Sequence, residues 1–303
     1  AAAGLLGARP ELAERREANR LQSIPGVGAG IARTLAEVME SGTGRHLQHL
    51  REETGAGPDA DSDLDMSSYR GDLHCHTLWS DGGASVRDMA IAAKARGQQY
   101  VAITDHSPRI SVVHGLGPER LAAQRREIEA ANAELEGITV LQGCEVDILE
   151  DGTLDLPDAA LEALDLVIAS PHVKLRMERA AMTERMLRAV GHPLVDMVGH
   201  PTGRRPGSRP GADYDLEAVF ESAARNRVVL EIDCDPARMD LSPENARVAA
   251  GLGCRLSLDS DAHAPDQFAY TDLGLWSARL AGIPAEILVN WLPLERLRVE
   301  VLD

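Results

Sequence analysis

Histidines and carboxylates recur in this sequence where short apolar runs stop. His74 and His76 stand two apart in RGDLHCH (70–76), so both face one side of an extended segment. His106 follows QYVAIT (99–104) and Asp105, and Glu145 follows ITVLQGC (138–144). His172 follows LDLVIAS (164–170), His200 follows VDMVG (195–199), and Asp261 and His263 follow CRLSLDS (254–260). Asp81 lies just beyond the first run. Six of the ten histidines fall in this set of nine residues, whereas unrelated histidines would scatter over helices and loops. Imidazole mixed with carboxylate suits zinc, manganese or iron better than calcium or magnesium alone. Nine ligands exceed one tetrahedral site, which implies more than one ion. Clustered ions typically clamp the attacking and leaving oxygens of a phosphoryl displacement. The residues therefore point to a multinuclear metallohydrolase acting on phosphoesters, with no serine or cysteine nucleophile required.

These runs, with VVLEID (228–233), make seven strand-like segments, near-continuously apolar as buried parallel strands are. Helical patterns separate them: SVRDMAIAAKA, PERLAAQRREIEAANAEL, ERAAMTERMLRAV, YDLEAVFESAARN and SPENARVAAGL. Ser85 and Ser242 stand at N-cap positions, and Pro243 takes the first helical position. Seven strands alternating with helices predict an α/β parallel sheet or barrel. The ligand residues then gather at the carboxyl ends of six strands, where such folds build active sites.

The chain has 303 residues and a formal net charge of −17, which argues against wrapping a long stretch of nucleic acid. Residues 1–56 hold seven arginines and seven glutamates and are neutral. They read as a helical segment broken at IPGVG, and residues 57–69 as an acidic linker, with the barrel over 70–303. Cys75, Cys144, Cys234 and Cys254 form no CxxC pair and read as buried free thiols. No apolar run approaches the roughly 20 residues that span a bilayer, and no secretory pattern opens the sequence. A cytoplasmic protein with no membrane partner is expected.

The segments LHCHTLWSDG, AITDHS, GCEVDIL, ASPH, VGHPTGR and SLDSDAH resemble the PHP family, named for polymerases and histidinol phosphatases. The resemblance runs from residue 70 to about 295 and implies a distorted seven-stranded (β/α)7 barrel binding two or three divalent ions (Mn, Zn or Fe). It implies that His74, His76, Glu145 and Asp261 hold one ion and that Glu145 bridges to a second held by His172 and His200. Asp81, His106 and His263 would hold the third. TDHSPRISVVHGLGPERLAAQ, EVDILEDGTLDLPD and VDMVGHPTGRRPG are most similar to the PHP domain of bacterial family X DNA polymerases. LQSIPGVGAGIARTLAEVMESG resembles the helix-hairpin-helix of their small lyase domain. No segment resembles fingers, palm or thumb, so polymerase activity is not expected.

Arg109, Lys174, Arg176, Arg204 and Arg205 follow ligand-bearing strands and are candidate phosphate clamps, Arg204 foremost because it sits in HPTGR. Glu145, Arg204 and Arg109 are the expected catalytic residues. Glu231 and Asp233 are candidate partners of ligand histidines, and Trp79 a loop anchor. His114 has no assigned role, and His46, His49 and His192 read as ordinary exposed residues. The expected activity is hydrolysis by a metal-activated water, on short single-stranded or 3′-terminal DNA, as an exonuclease or phosphodiesterase. The rivals are a histidinol-phosphatase-like phosphomonoesterase and a non-catalytic DNA-repair scaffold.

Overall fold

In the computed structural model, which describes residues 64–302, seven strands lie side by side in sequence order, each parallel to the next. They are β1 (Gly71–Cys75), β2 (Tyr100–Ile103), β3 (Thr139–Asp147), β4 (Leu166–Ser170), β5 (Met197–Val198), β6 (Val229–Asp233) and β7 (Leu256–Asp259). The longer connecting helices are α1 (Val86–Ala95), α2 (Pro118–Glu134), α4 (Arg179–Val190), α5 (Leu216–Asn226), α6 (Pro243–Gly251) and α7 (Thr271–Ala281). A single-turn α3 (Asp158–Leu161) precedes β4, and α8 (Leu294–Leu297) follows β7. The expected (β/α)7 barrel is the fold observed.

Sequence chemistry accounts for the element ends. The Ser85 side chain accepts from Asp88 N and starts α1, and Ser242 accepts from Asn245 N with Pro243 in the first turn of α6. Almost every strand residue is buried, as a sheet covered by helices on one face and closed upon itself on the other requires. Leu73, Tyr100, Ala102, Leu141, Ile168, Met197 and Val229 fill the barrel interior below the site.

Three features differ from the sequence expectation. β3 runs on to Asp147, so Glu145 lies within that strand. β5 pairs over two residues only, and the backbone soon turns left-handed at His200, φ 29°. The described tail of the 57–69 linker, from Leu64 on, packs with the barrel. Leu64 and Tyr69 are buried apolar side chains in its core, and the Tyr69 hydroxyl donates to the Leu258 carbonyl at 3.0 Å. The helix-hairpin-helix-like segment, with His46 and His49, lies outside the described residues.

β1 and β7 are not joined by a strand ladder; a bridge at Cys75 and Ala262 and side-chain hydrogen bonds close the gap. Leu73 N donates to Asp259 Oδ1 at 2.7 Å, and Ser260 N to Asp72 Oδ2 at 3.2 Å. Buried Asn290 spans the seam, accepting from Leu258 N at 2.7 Å and donating to Gly71 O at 2.9 Å and Asp259 Oδ1 at 2.7 Å.

Candidate active site

All nine expected ligands converge at the carboxyl end of the barrel. Glu145 is the hub. Its Oε1 lies 2.6 Å from His200 Nε2 and 3.1 Å from His172 Nε2. Its Oε2 lies 2.8 Å from His106 Nδ1, 3.5 Å from His74 Nε2 and 3.6 Å from His76 Nε2. Asp261 Oδ1 is 3.0 Å from His76 Nε2. Asp81 reaches His106 Nε2 at 3.6 Å and His263 Nε2 at 3.5 Å.

Three groups of ligand atoms are close enough to share an ion: His76, Asp81, His106 and His263; His74, His76 and Asp261; His106, Glu145 and His172. The partition implied by the resemblance differs in detail. His76 and His106 each stand in two groups, and His200 joins through Glu145.

The donor set fits divalent ions. His74 Nε2, both ring nitrogens of His76, His106 Nδ1 and His172 Nε2 are buried without a hydrogen-bond partner, although carboxylate oxygens stand nearby. A buried polar atom left this way costs about 1–3 kcal/mol. Five such atoms, spread over the three groups beside three carboxylates, make a donor set of borderline character.

Other side chains orient the rings. His74 Nδ1 lies 2.7 Å from Glu231 Oε1, and Glu231 Oε2 accepts from His200 N at 2.6 Å. His172 Nδ1 lies 3.1 Å from Asp147 Oδ1. Gly199 leaves room for this packing, because a β-carbon there would stand 3.3 Å from His74 Cε1 and 2.5 Å from Ser170 Oγ. Two ligands sit in the left-handed region that side chains rarely adopt, His200 and Asp261, the latter at φ 48°.

Charge pushes the rings apart in protonation. Burial opposes charge on His106, but Glu145 and Asp81 outweigh it and hold the ring at about 10. Burial, His263 and His106 together drive His76 down to about 3. Glu145 stays well below the ordinary carboxylate range: burial opposes ionisation, but His172, His106, His74 and His200 surround it.

The site opens into a cavity of about 530 Å³ lined by Asp81, His106, His172, Asp261 and His263. Arg205, Arg209 and Arg238, with Ile110 and Val113, also line it. Arg109 and Arg204, expected to clamp phosphate, do not line it. Arg109 is exposed, its guanidinium 3.7 Å from Glu150, and Arg204 lines a second cavity. Lys174 and Arg176 are exposed and line neither. Asp233 does not meet a ligand histidine; its Oδ2 faces Arg238 Nε at 3.4 Å. Trp79 is the expected anchor, its indole donating to Glu127 at 2.7 Å. His114 lies in the 106–117 loop with its carbonyl held by Arg120.

Sequence reasoning missed two groups. Arg238 sits beside Asp261 Oδ2 at 3.3 Å, and the only hint was an arginine shortly after the sixth strand. Asp105, read only as a neighbour of His106, is buried and accepts from Thr77 N at 2.8 Å, Thr77 Oγ1 at 2.6 Å, Ser80 N at 3.1 Å and Gln124 Nε2 at 2.7 Å. It fixes the loop that carries Asp81.

Among the described residues no helix is long and apolar enough to cross a membrane. Comparison with known proteins agrees with the geometry. Residues 72–234 match the PHP domain. The chain is 39% identical over 227 residues to the DNA polymerase/3′-5′ exonuclease PolX of Bacillus subtilis, spanning 75% of this chain but only 40% of that protein. It is 32% identical to a probable phosphatase of Syntrophotalea carbinolica, over 72% of this chain and 90% of that one. A putative histidinol phosphatase from Listeria monocytogenes shares the fold, with TM-score 0.50 and 13% identity, over 65% of this chain and 97% of that one. Motifs, barrel and converged ligands together establish that the chain belongs to the PHP family of metal-dependent phosphoesterases.

Proposed function

We propose that this chain is a phosphodiesterase that removes nucleotides from DNA 3′ ends, working with two or three divalent ions of manganese, zinc or iron. The observation that carries this reading is the cavity itself, lined by candidate ligand histidines and carboxylates together with three arginines. The 3′-5′ exonuclease named for the Bacillus subtilis relative supports the substrate class. The four buried free thiols accord with a reducing, cytoplasmic setting.

When bound, the ions supply Lewis-acid polarisation of phosphorus and activation of water. The chain's residues do the rest. His74, His76 and Asp261 would hold one position, His106, Glu145 and His172 a second, with His200 beside Glu145, and Asp81 and His263 with His76 and His106 a third. Glu231 and Asp147 orient His74 and His172 by their Nδ1 atoms. Arg238, drawn close to Asp261, presents a fixed cation to a phosphoryl group entering the cavity.

The test is a substrate panel with added manganese or zinc. Release of mononucleotides from 3′ ends of short single strands is the expected result. The 90% span of the Syntrophotalea probable phosphatase favours the alternative, a small-molecule phosphomonoesterase. Turnover of a phosphorylated metabolite with no cleavage of any oligonucleotide would select it.

A further inference from the structure

The loop between β5 and α5 carries an arrangement that metal chemistry does not use. Arg205 and Arg209 form an antiparallel bridge, with Arg205 N donating to Arg209 O and Arg209 N to Arg205 O, both at 2.8 Å. Bridge partners project to the same side, where like charges directly opposite each other are unfavourable. Among the described residues no carboxylate forms an ion pair with either guanidinium, although the chain holds 48 acids against 31 bases. Arg209 is fixed by one bond, from Nε to Gly203 O at 2.8 Å. Burial, Arg205 and Arg238 depress its pKa, against the opposing charge of Asp240. Both arginines line the cavity beside the candidate ligands, and Arg209 also lines a second cavity of about 710 Å³ with Arg204 and Asn245. Arg209 is thus common to the linings of both cavities, and among the described residues neither guanidinium of this pair is taken up by an ion pair.

We propose that Arg205 and Arg209 bind a second phosphate of the substrate, the phosphodiester on the 5′ side of the one being cleaved. The inference rests on the phosphodiesterase reading above. Arg238, beside Asp261, is left for the reacting phosphate, and the bridge makes the enzyme prefer chains of at least two phosphates over isolated esters. A bidentate or charge-assisted contact to phosphate is of the right strength to set such a preference.

The experiment compares two thymidine dinucleotides with manganese present, one with only the internucleotide phosphate and one with an added 5′-phosphate. Cleavage of the internucleotide bond is followed by chromatography. Wild-type protein is expected to cleave the 5′-phosphorylated dinucleotide with kcat/KM roughly tenfold higher or more, mainly through KM. Arg205→Ala is expected to reduce that preference to about threefold or less, and Arg205→Lys to restore part of it. Arg205 is exposed, so these variants are expected to fold; Arg209→Ala gives the same readout from the other side of the bridge. Equal cleavage of the two dinucleotides by wild type would overturn the second-phosphate site and leave the phosphodiesterase reading standing. Hydrolysis of p-nitrophenyl phosphate with neither dinucleotide cut would overturn both.

Discussion

Glu145 touches five histidines, so its substitution tests the centre more sharply than any other. Glu145→Gln keeps the shape and removes the charge; hydrolysis is expected to fall by about a thousandfold or more, and metal content measured by mass spectrometry to fall with it. The circular dichroism spectrum should stay native, because the strand ladder around Glu145 is backbone. Loss of Glu231, which orients His74, is expected to cost about 10–100-fold in metal affinity, read by titration of Glu231→Gln with manganese. Asp196 tests the opposite kind of site, away from the ions. Burial raises its carboxyl to about 7, against a hydrogen bond from Val167 N that favours charge. The unfolded group loses its proton near pH 4. Between those values the folded state binds more protons, so stability falls as pH rises and is lowest above pH 7. Asp196→Asn is therefore expected to be more stable than wild type at pH 8, by about 1–2 kcal/mol, with the advantage gone near pH 4, in urea melts at the two pH values. The nine converging side chains were legible because each stands beside the end of an apolar run. Arg238 and Arg209 were not, because nothing in the residues beside an arginine says whether a loop will turn it inward.

At the scale of elements, strand content was readable and strand termination was not. The apolar runs located β1 to β7 within a few residues, because a buried parallel strand needs continuous apolar character. That rule says nothing of where pairing stops, and β3 continues through Glu145 and Asp147 because histidines take up both carboxylates, His172 Nδ1 lying 3.1 Å from Asp147 Oδ1. α7 went unread: TDLGLWSARLA alternates small and large residues, and its burial arises from Gly274 lying against Cys234 and Leu258. The loop after β1 makes its own prediction. Asp105 holds Thr77 and Ser80, and that loop ends in Asp81. Asp105→Asn has fewer acceptor sites for the same donors. The loop is expected to exchange amide hydrogens at residues 77–81 at least tenfold faster, and the protein to bind one ion fewer, in hydrogen exchange and metal stoichiometry.

Over the whole molecule, the seam between the first and last strands sets both strength and order of assembly. Asn290 makes three buried hydrogen bonds across it. Asn290→Ala leaves their partners without a substitute and is expected to cost about 2–3 kcal/mol in chemical denaturation, with β1 and β7 amides the first to lose protection. The contacts that close the seam join residues 219 and 186 positions apart, such as Asn290 with Gly71 and Leu73 with Asp259. Closing so long a span is slow, and its entropy must be spent before the contact rewards it. His74 and His76 leave the ribosome nearly 190 residues before Asp261 and His263 do, on the strand that must wait for β7. Until Asp261 has been made, the nascent chain holds these imidazoles without the carboxylate that they share. Ion loading in that sense awaits β7, and a polypeptide stalled before that strand would carry the first half of the centre as an unprotected sheet edge.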